Sequence, residues 1–225
     1  MRALQDLRHQ GPDAEHRLGR ARRRRRAELQ RHVGATTQAD PSNRRLAITT
    51  DPRQFSEAFA LHDGRPARLR AIRADDRGRL ASAFLALEPD SVYLRYFSFK
   101  HELTPADLDR LCMPDFRERV VLVITLGTGA DETIIGSGGY VAHAAADGAR
   151  VAEVAFVVNE EFQGHGLAAK LLAVLAGMAR ADSIARFEAE VLGRNASMLQ
   201  VFAHSGLPMA HGREQDGVVS LTLSL

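Results

Sequence analysis

The chain has 225 residues, 45 % of them hydrophobic, one cysteine and a formal net charge of +2. This is enough apolar material for one packed domain plus an extension, and it excludes a chain disordered throughout, an internal disulfide framework and a cysteine-rich zinc site. No apolar run reaches the ~18 residues of a membrane-spanning helix, and the N-terminus has no continuous apolar signal core, so no membrane contact and a cytoplasmic protein are expected.

The first 45 residues carry 12 arginines and 5 acids, whereas the rest of the chain is net acidic. The stretch from Arg20 to Arg26 is broken only by Ala21. Five consecutive arginines repel one another and offer no apolar face. Two readings stand for this basic arm: a contact with nucleic acid or another polyanion, or a disordered tail, and the composition favours the tail. A short helix over 14–31 would be marginal by itself. Residues 46–66 read as a linker or peripheral element. Leu46, Ile48 and Phe55 suit a short strand or turn, while Phe55 and Phe59, four apart, suit one helical face. His62-Asp63-Gly64-Arg65-Pro66 reads as a tight turn. The regular domain is placed at 67–225.

Within it, 69–72 is strand-like. Asp75 or Asp76 can cap a helix over about 76–87 with Leu80, Phe84 and Leu87 on one face. A short segment follows at 91–99. Thr104 and Pro105 fit the N-cap and first position of the next helix, with Asp107 where a capping box places an acid. Buried strands are predicted at 120–126, 133–141 and 151–158, the second bent by Gly136, Gly138 and Gly139. Leu167, Leu171, Val174, Leu175 and Met178 share one face of a strong helix over 166–180. A strand at 186–191, a short helix at 195–204 and a terminal strand at 218–225 complete the order. Hairpin-joined strands followed by strand–helix–strand describe an α/β fold with a mixed, mostly antiparallel central sheet and helices on both faces. The irregular early half excludes a doubly wound dinucleotide fold.

The most informative segment is 151–180. A strand ends at Val158, an acidic connection follows, and a long helix begins within Phe162-Gln163-Gly164-His165-Gly166-Leu167-Ala168. A helix N-terminus presents free N–H groups and partial positive charge. Glycines let a phosphate approach those groups closely. This points to a pyrophosphate held by main chain, against the alternative of a glycine-rich turn with no ligand. No Gly-Lys-Ser/Thr follows, so it is not a Walker motif.

Gln163-Gly164-His165-Gly166-Leu167-Ala168 resembles the Gln/Arg-x-x-Gly-x-Gly/Ala signature of the GNAT family of N-acetyltransferases, and 152–158 resembles the family's fourth strand. Residues 69–76, 91–98 and 190–199 resemble stretches of one branch, the bacterial protein lysine acetyltransferases. Domains of that branch occur nearly alone or fused to acyl-CoA synthetase-like or cyclic-nucleotide-binding modules. The resemblance, over about 61–225, implies the GNAT fold and acetyl-CoA as co-substrate. It implies that backbone groups of Phe156, Val157 and Val158 pair with the pantetheine arm and that Gln163, Gly164, His165, Gly166, Leu167 and Ala168 hold the pyrophosphate. It places Asn195 near the cofactor; the same residue reads equally as a helix N-cap. The implied partner is a protein carrying an acceptor lysine, an acyl-CoA synthetase being one candidate.

Acetyl transfer to an amine requires a lysine ammonium, of reference pKa about 10.4, to lose a proton before attack. A nearby carboxylate can take it. Glu153, an acid in an otherwise apolar strand, is the best candidate, and the branch carries a glutamate at the matching position. Its sharp reading is a partly buried general base; its bland one is an edge position or cross-strand ion pair. Glu188 and Glu190 share one face of the next strand and read as solvated, with Glu190 the alternative for ordering a water. Many GNAT members place a tyrosine acid in the last helix, yet 198–206 contains none. His204 suits a helix C-terminus. His165 could touch phosphate. Tyr93, Arg95 and Tyr96 could shape the acceptor entrance, unless Tyr93 and Phe97 pack the core. Cys112 reads as a buried small hydrophobe. The scattered histidines show no metal-site spacing, and no metal is expected. The preferred reading is direct acetyl transfer to protein lysines. The alternatives are a small-amine acetyltransferase and a non-catalytic acyl-CoA-binding or sensing domain.

Overall fold

A computed structural model describes residues 51–96 and 101–225. The arginine-rich arm, the 14–31 helix, Leu46, Ile48 and Phe97 lie outside those residues, as does the side chain of Tyr96. An eight-stranded sheet comprises β1 (Ser56–Ala60), β2 (Pro66–Ala71), β3 (Arg119–Leu126), β4 (Thr133–Ala144), β5 (Arg150–Val158), β6 (Arg186–Leu192), β7 (Met209–Gln215) and β8 (Val218–Ser224), in the order β1-β2-β3-β4-β5-β6-β8-β7. All neighbours are antiparallel except β5 and β6. The helices are α1 (Arg77–Leu85), α2 (Pro89–Tyr96), α3 (Pro105–Cys112), α4 (Leu167–Ala181) and α5 (Ala196–Ala203).

The sheet separates two cores. Leu80 and Phe84 of α1, Val92 of α2 and Cys112 of α3 pack with Val121, Val123 and Ile134 on one face. Leu171, Leu175 and Met178 of α4 and Phe202 of α5 pack with Val120, Leu122, Ile124 and Phe156 on the other. Strand β3 is therefore covered on both sides, which explains its unbroken apolar run. β5 and β6 are parallel because α4 carries the chain back over the sheet between them.

Local chemistry explains several boundaries. Thr104 Oγ1 accepts from the N–H of Asp107 at 3.2 Å and Asp107 returns a bond to the N–H of Thr104 at 2.9 Å, the reciprocal box that opens α3. Gly166, at φ 74°, is the N-cap of α4.

Three expectations are corrected. Phe59 lies in the edge strand β1 and Phe55 just before it, so these two do not mark a helical face; Phe55 is buried in the core and Phe59 is half-buried against it. Asp76 makes no side-chain cap to α1, because Arg70 and the N–H of Arg73 already occupy its carboxylate. Val92, not Tyr93, is the core residue of α2, and the Tyr93 ring instead lies under the Arg194 guanidinium at 5.2 Å. Among the described residues no helix is long and apolar enough to cross a membrane.

Candidate active site

The central feature arises where two parallel strands stop pairing. Register joins Val151 to Arg186, Ala152 to Phe187 and Glu153 to Glu188, and ends there. β5 runs on to Val158 and β6 to Leu192. The β6-facing edge of residues 154–158 therefore borders a cleft, and its backbone groups there need a partner. The cleft, about 630 Å³, is closed by the start of α4 and by Asn195, Met198 and Phe202 around α5. Phe156 turns its ring into the core, 6.1 Å from the Phe202 ring, so its main chain is what a ligand can meet. Val157 and Val158 are half-buried along the same edge.

The start of α4 is built for an anion. Gly164 and Gly166 have φ of 77° and 74°, a region that favours glycine. A Cβ at either would touch nothing within 4 Å, so glycine is favoured there by backbone conformation rather than by space, and the approach stays open. No side chain caps α4, and Leu167 and Ala168 line the cleft with their first-turn N–H groups outside the helical ladder. Gln163 Nε2 donates to the carbonyl of Val158 at 3.1 Å, tying the turn to the end of β5. His165 points elsewhere: its ring lies 6.0 Å from that of His62 in the β1–β2 turn, and the residue is not part of the cleft wall. Asn195 Oδ1 accepts from the N–H of Met198 at 3.1 Å and also borders the cleft, so capping and cleft position coexist in one residue.

A second cavity, about 440 Å³, lies between the sheet and helices α1 and α3. Its floor is low because Ser137, Gly139 and Ala155 are small, and its roof is apolar: Leu80, Phe84, Leu87 and Leu111. Gly139 cannot be enlarged, since a Cβ would fall 2.3 Å from the carbonyl oxygen of Val120. Arg95, Glu153, Ala155 and Val157 border both cavities. Glu153 thus stands where the two spaces meet. It is exposed rather than partly buried, because β5 is flanked there by the exposed Val141 and the half-buried Glu188.

Neighbouring charges are largely occupied. Glu188 accepts from Arg186 Nε at 3.2 Å and lies 3.6 Å from His143 Nε2. Glu190 is exposed on the cleft wall. His204 Nδ1 is 2.9 Å from the carbonyl of Gln200, within its own helix terminus. Asp182 closes α4 and pairs with Arg150 at 2.7 Å. Burial pushes the Tyr140 hydroxyl well above the usual phenol range. Burial likewise raises the Cys112 thiol. Neither group suits acid–base work at neutral pH. Among the described residues no three His, Cys, Asp or Glu side chains converge as a metal site.

One group that positions the site was not anticipated. Arg70, 1 % exposed, donates to both Asp76 oxygens at 2.7 and 2.8 Å and to Glu132 at 3.0 Å. Burial opposes ionisation of Asp76, but the Arg70 hydrogen bonds, the Arg73 N–H and the Arg70 and Arg79 charges outweigh it and hold the carboxyl below the usual range. Glu132 is lowered against its own desolvation by Arg70, Thr125 and Arg79. This cluster anchors the start of α1, the roof of the second cavity. Its signal in the sequence was an arginine inside the apolar stretch Leu69-Arg70-Ala71-Ile72.

Comparison with known proteins places the chain in a family. Residues 67–208 match the acetyltransferase (GNAT) domain family. The chain is 30 % identical over 151 residues to the acetyltransferase Pat of Mycolicibacterium smegmatis, covering 67 % of this chain and 43 % of that protein. It is 29 % identical over 121 residues to an acetyltransferase of Pseudomonas aeruginosa, covering 54 % of this chain and 63 % of that one. The chain thus spans about half the length of the curated relatives it matches. The crystal structure of the GNAT domain of S. lividans PAT superposes with a TM-score of 0.67 at 36 % identity, over 76 % of this chain and 97 % of that one.

Proposed function

The chain belongs to the GNAT family of acetyltransferases, consistent with its bacterial protein acetyltransferase branch, and from that premise we propose that it transfers the acetyl group of acetyl-CoA directly to lysine side chains of proteins, with Glu153 as general base. One observation carries the proposal: the β5–β6 ladder ends at Glu153 and Glu188, so the carboxylate stands at the mouth of the cleft and on the wall shared with the second cavity. The likeness to Pat supports a protein acceptor.

The cleft fits a long, thin, phosphate-bearing thioester. Main-chain groups of Phe156, Val157 and Val158 would bind an amide-rich arm as a neighbouring strand does. The turn of Gln163, Gly164, Gly166, Leu167 and Ala168 would hold the pyrophosphate on free N–H groups. Asn195 would border the same ligand from α5. Acetyl-CoA supplies an activated acetyl group with a thiolate leaving group. Glu153 accepts a proton from the lysine ammonium, directly or through water, and leaves a neutral nitrogen to attack. A main-chain N–H on the open edge of β5 steadies the charge that develops on the carbonyl oxygen. No tyrosine stands in α5, and the easy departure of a thiolate lessens the need for one.

Glu153→Gln tests the base. It keeps size and polarity at an exposed position, so folding and acetyl-CoA affinity are expected to hold. The transfer rate at neutral pH is expected to fall roughly 10²–10⁴-fold, the scale of general base catalysis. The defect should shrink as pH rises and more acceptor is already neutral. A wild-type rate at neutral pH with purified acceptor removes the role from Glu153.

A further inference from the structure

Strand register places three unlike residues side by side on the open face of the sheet. Arg119 of β3 is opposite Val141 of β4, and Val141 is opposite Glu153 of β5. Directly opposed residues on neighbouring strands project to the same face. All three border the second cavity. The row therefore reads cation, apolar, anion, with about 10 Å between the Cα atoms of Arg119 and Glu153, two inter-strand spacings. Val141 is 41 % exposed, one of three large hydrophobics so open among the described residues. Beyond Glu153 the row continues to Glu188, whose carboxylate is taken up by Arg186.

Other charges share the Arg119 end. Arg119 donates from Nη1 toward the carbonyl of Arg110 at 3.4 Å, which brings two arginine segments to the same rim. Asp107 lies 3.7 Å from Arg110, and Asp115 accepts from the N–H of Arg119. These two acids offset part of the charge. An acceptor ammonium is thus drawn to one end of the row and an acceptor carboxylate to the other.

Resting on the lysine-acetylating reading above, we propose that this row selects the acceptor: in an extended segment, the preferred lysine has an apolar residue two positions away and an acidic residue four positions away, all three on one face. The lysine ammonium meets Glu153, the apolar group lies on Val141, and the carboxylate pairs with Arg119. Residues two and four positions along an extended segment lie about 7 and 13 Å from the lysine on its own face, within reach of a row whose long end side chains start about 10 Å apart. Arg119 is a specificity-determining residue that does not touch the reacting atoms, so its effect belongs in KM.

The test uses the full chain, acetyl-CoA and three synthetic peptides with one central lysine, valine two residues away and Glu, Gln or Arg four residues away. Wild type is expected to rank them Glu, then Gln, then Arg, with KM differing roughly two- to five-fold per step, the scale of an exposed ion pair, and with kcat little changed. Arg119→Glu is expected to invert the order and Arg119→Ala to flatten it; melting curves confirm that each variant folds. Equal use of the three peptides by wild type, or the same order in wild type and Arg119→Glu, overturns the selection by Arg119 and leaves the lysine reading intact. Failure to acetylate any of the peptides, with acetyl-CoA still bound in a calorimetric titration, overturns the lysine reading and this inference together.

Discussion

Asp76 is fully buried and accepts two hydrogen bonds from the Arg70 guanidinium, one from that of Arg79 and one from a backbone N–H. Removing its charge leaves Arg70 buried with only Glu132 as an acidic partner. Asp76→Asn is therefore expected to cost about 3–5 kcal/mol, the penalty for breaking a buried pair from one side, read as a lower urea midpoint. The pH dependence follows from the sign of the shifts. Asp76 and Glu132 are both held below the usual carboxylate range in the folded protein. Their stabilisation is complete above the unfolded value of about 4 and is lost as pH falls through the depressed folded values. The wild type should lose stability steeply below about pH 4, and Asp76→Asn should show a shallower loss there. Equal acid slopes in the two proteins would show that other carboxylates dominate.

At the scale of elements, the site depends on α4 beginning without a side-chain cap. Gly166→Asp sets a carboxylate beside the free N–H groups of its first turn, where a Cβ has open space. The circular dichroism spectrum is expected to stay, while CoA affinity falls roughly 10–100-fold, the loss of one or two hydrogen bonds to a charged group. Unchanged calorimetric affinity would move the pyrophosphate away from this turn. The glycine turn and α4 were legible because their signals are local: two glycines at positive φ and an apolar face of period 3.6. β7 was not legible. Its sequence, Met-Ala-His-Gly-Arg-Glu-Gln, lacks alternation because an edge strand exposed on nearly every residue has no buried face to record.

For the molecule as a whole, residues 47–225 form a compact unit with a core on each side of one sheet. The charge break near residue 45 and the absence of a core pattern before Leu46 lead to an expectation for truncation. A chain lacking residues 1–45 should unfold in one cooperative transition close to that of the full protein, and should retain acetyl transfer. Rates on acidic acceptors are the property most open to change, since a basic arm acts on encounter. Loss of cooperative melting would place that segment within the fold.

The sequence by itself determined four of the five helices, most strands, the glycine turn and the singular acid Glu153, because each is written in contiguous residues through periodicity, capping chemistry or backbone freedom, whereas the helix over Pro89–Tyr96 read only as a short segment. Only the tertiary structure decided that pairing between β5 and β6 stops at Glu153, that two cavities share its wall, and that Arg119, Val141 and Glu153 form one row. It likewise decided that Arg70 closes on Asp76 and Glu132. The physical reason is register: side chains from separate strands become neighbours only once the hydrogen-bonded ladders fix which residues lie opposite and where the ladder ends.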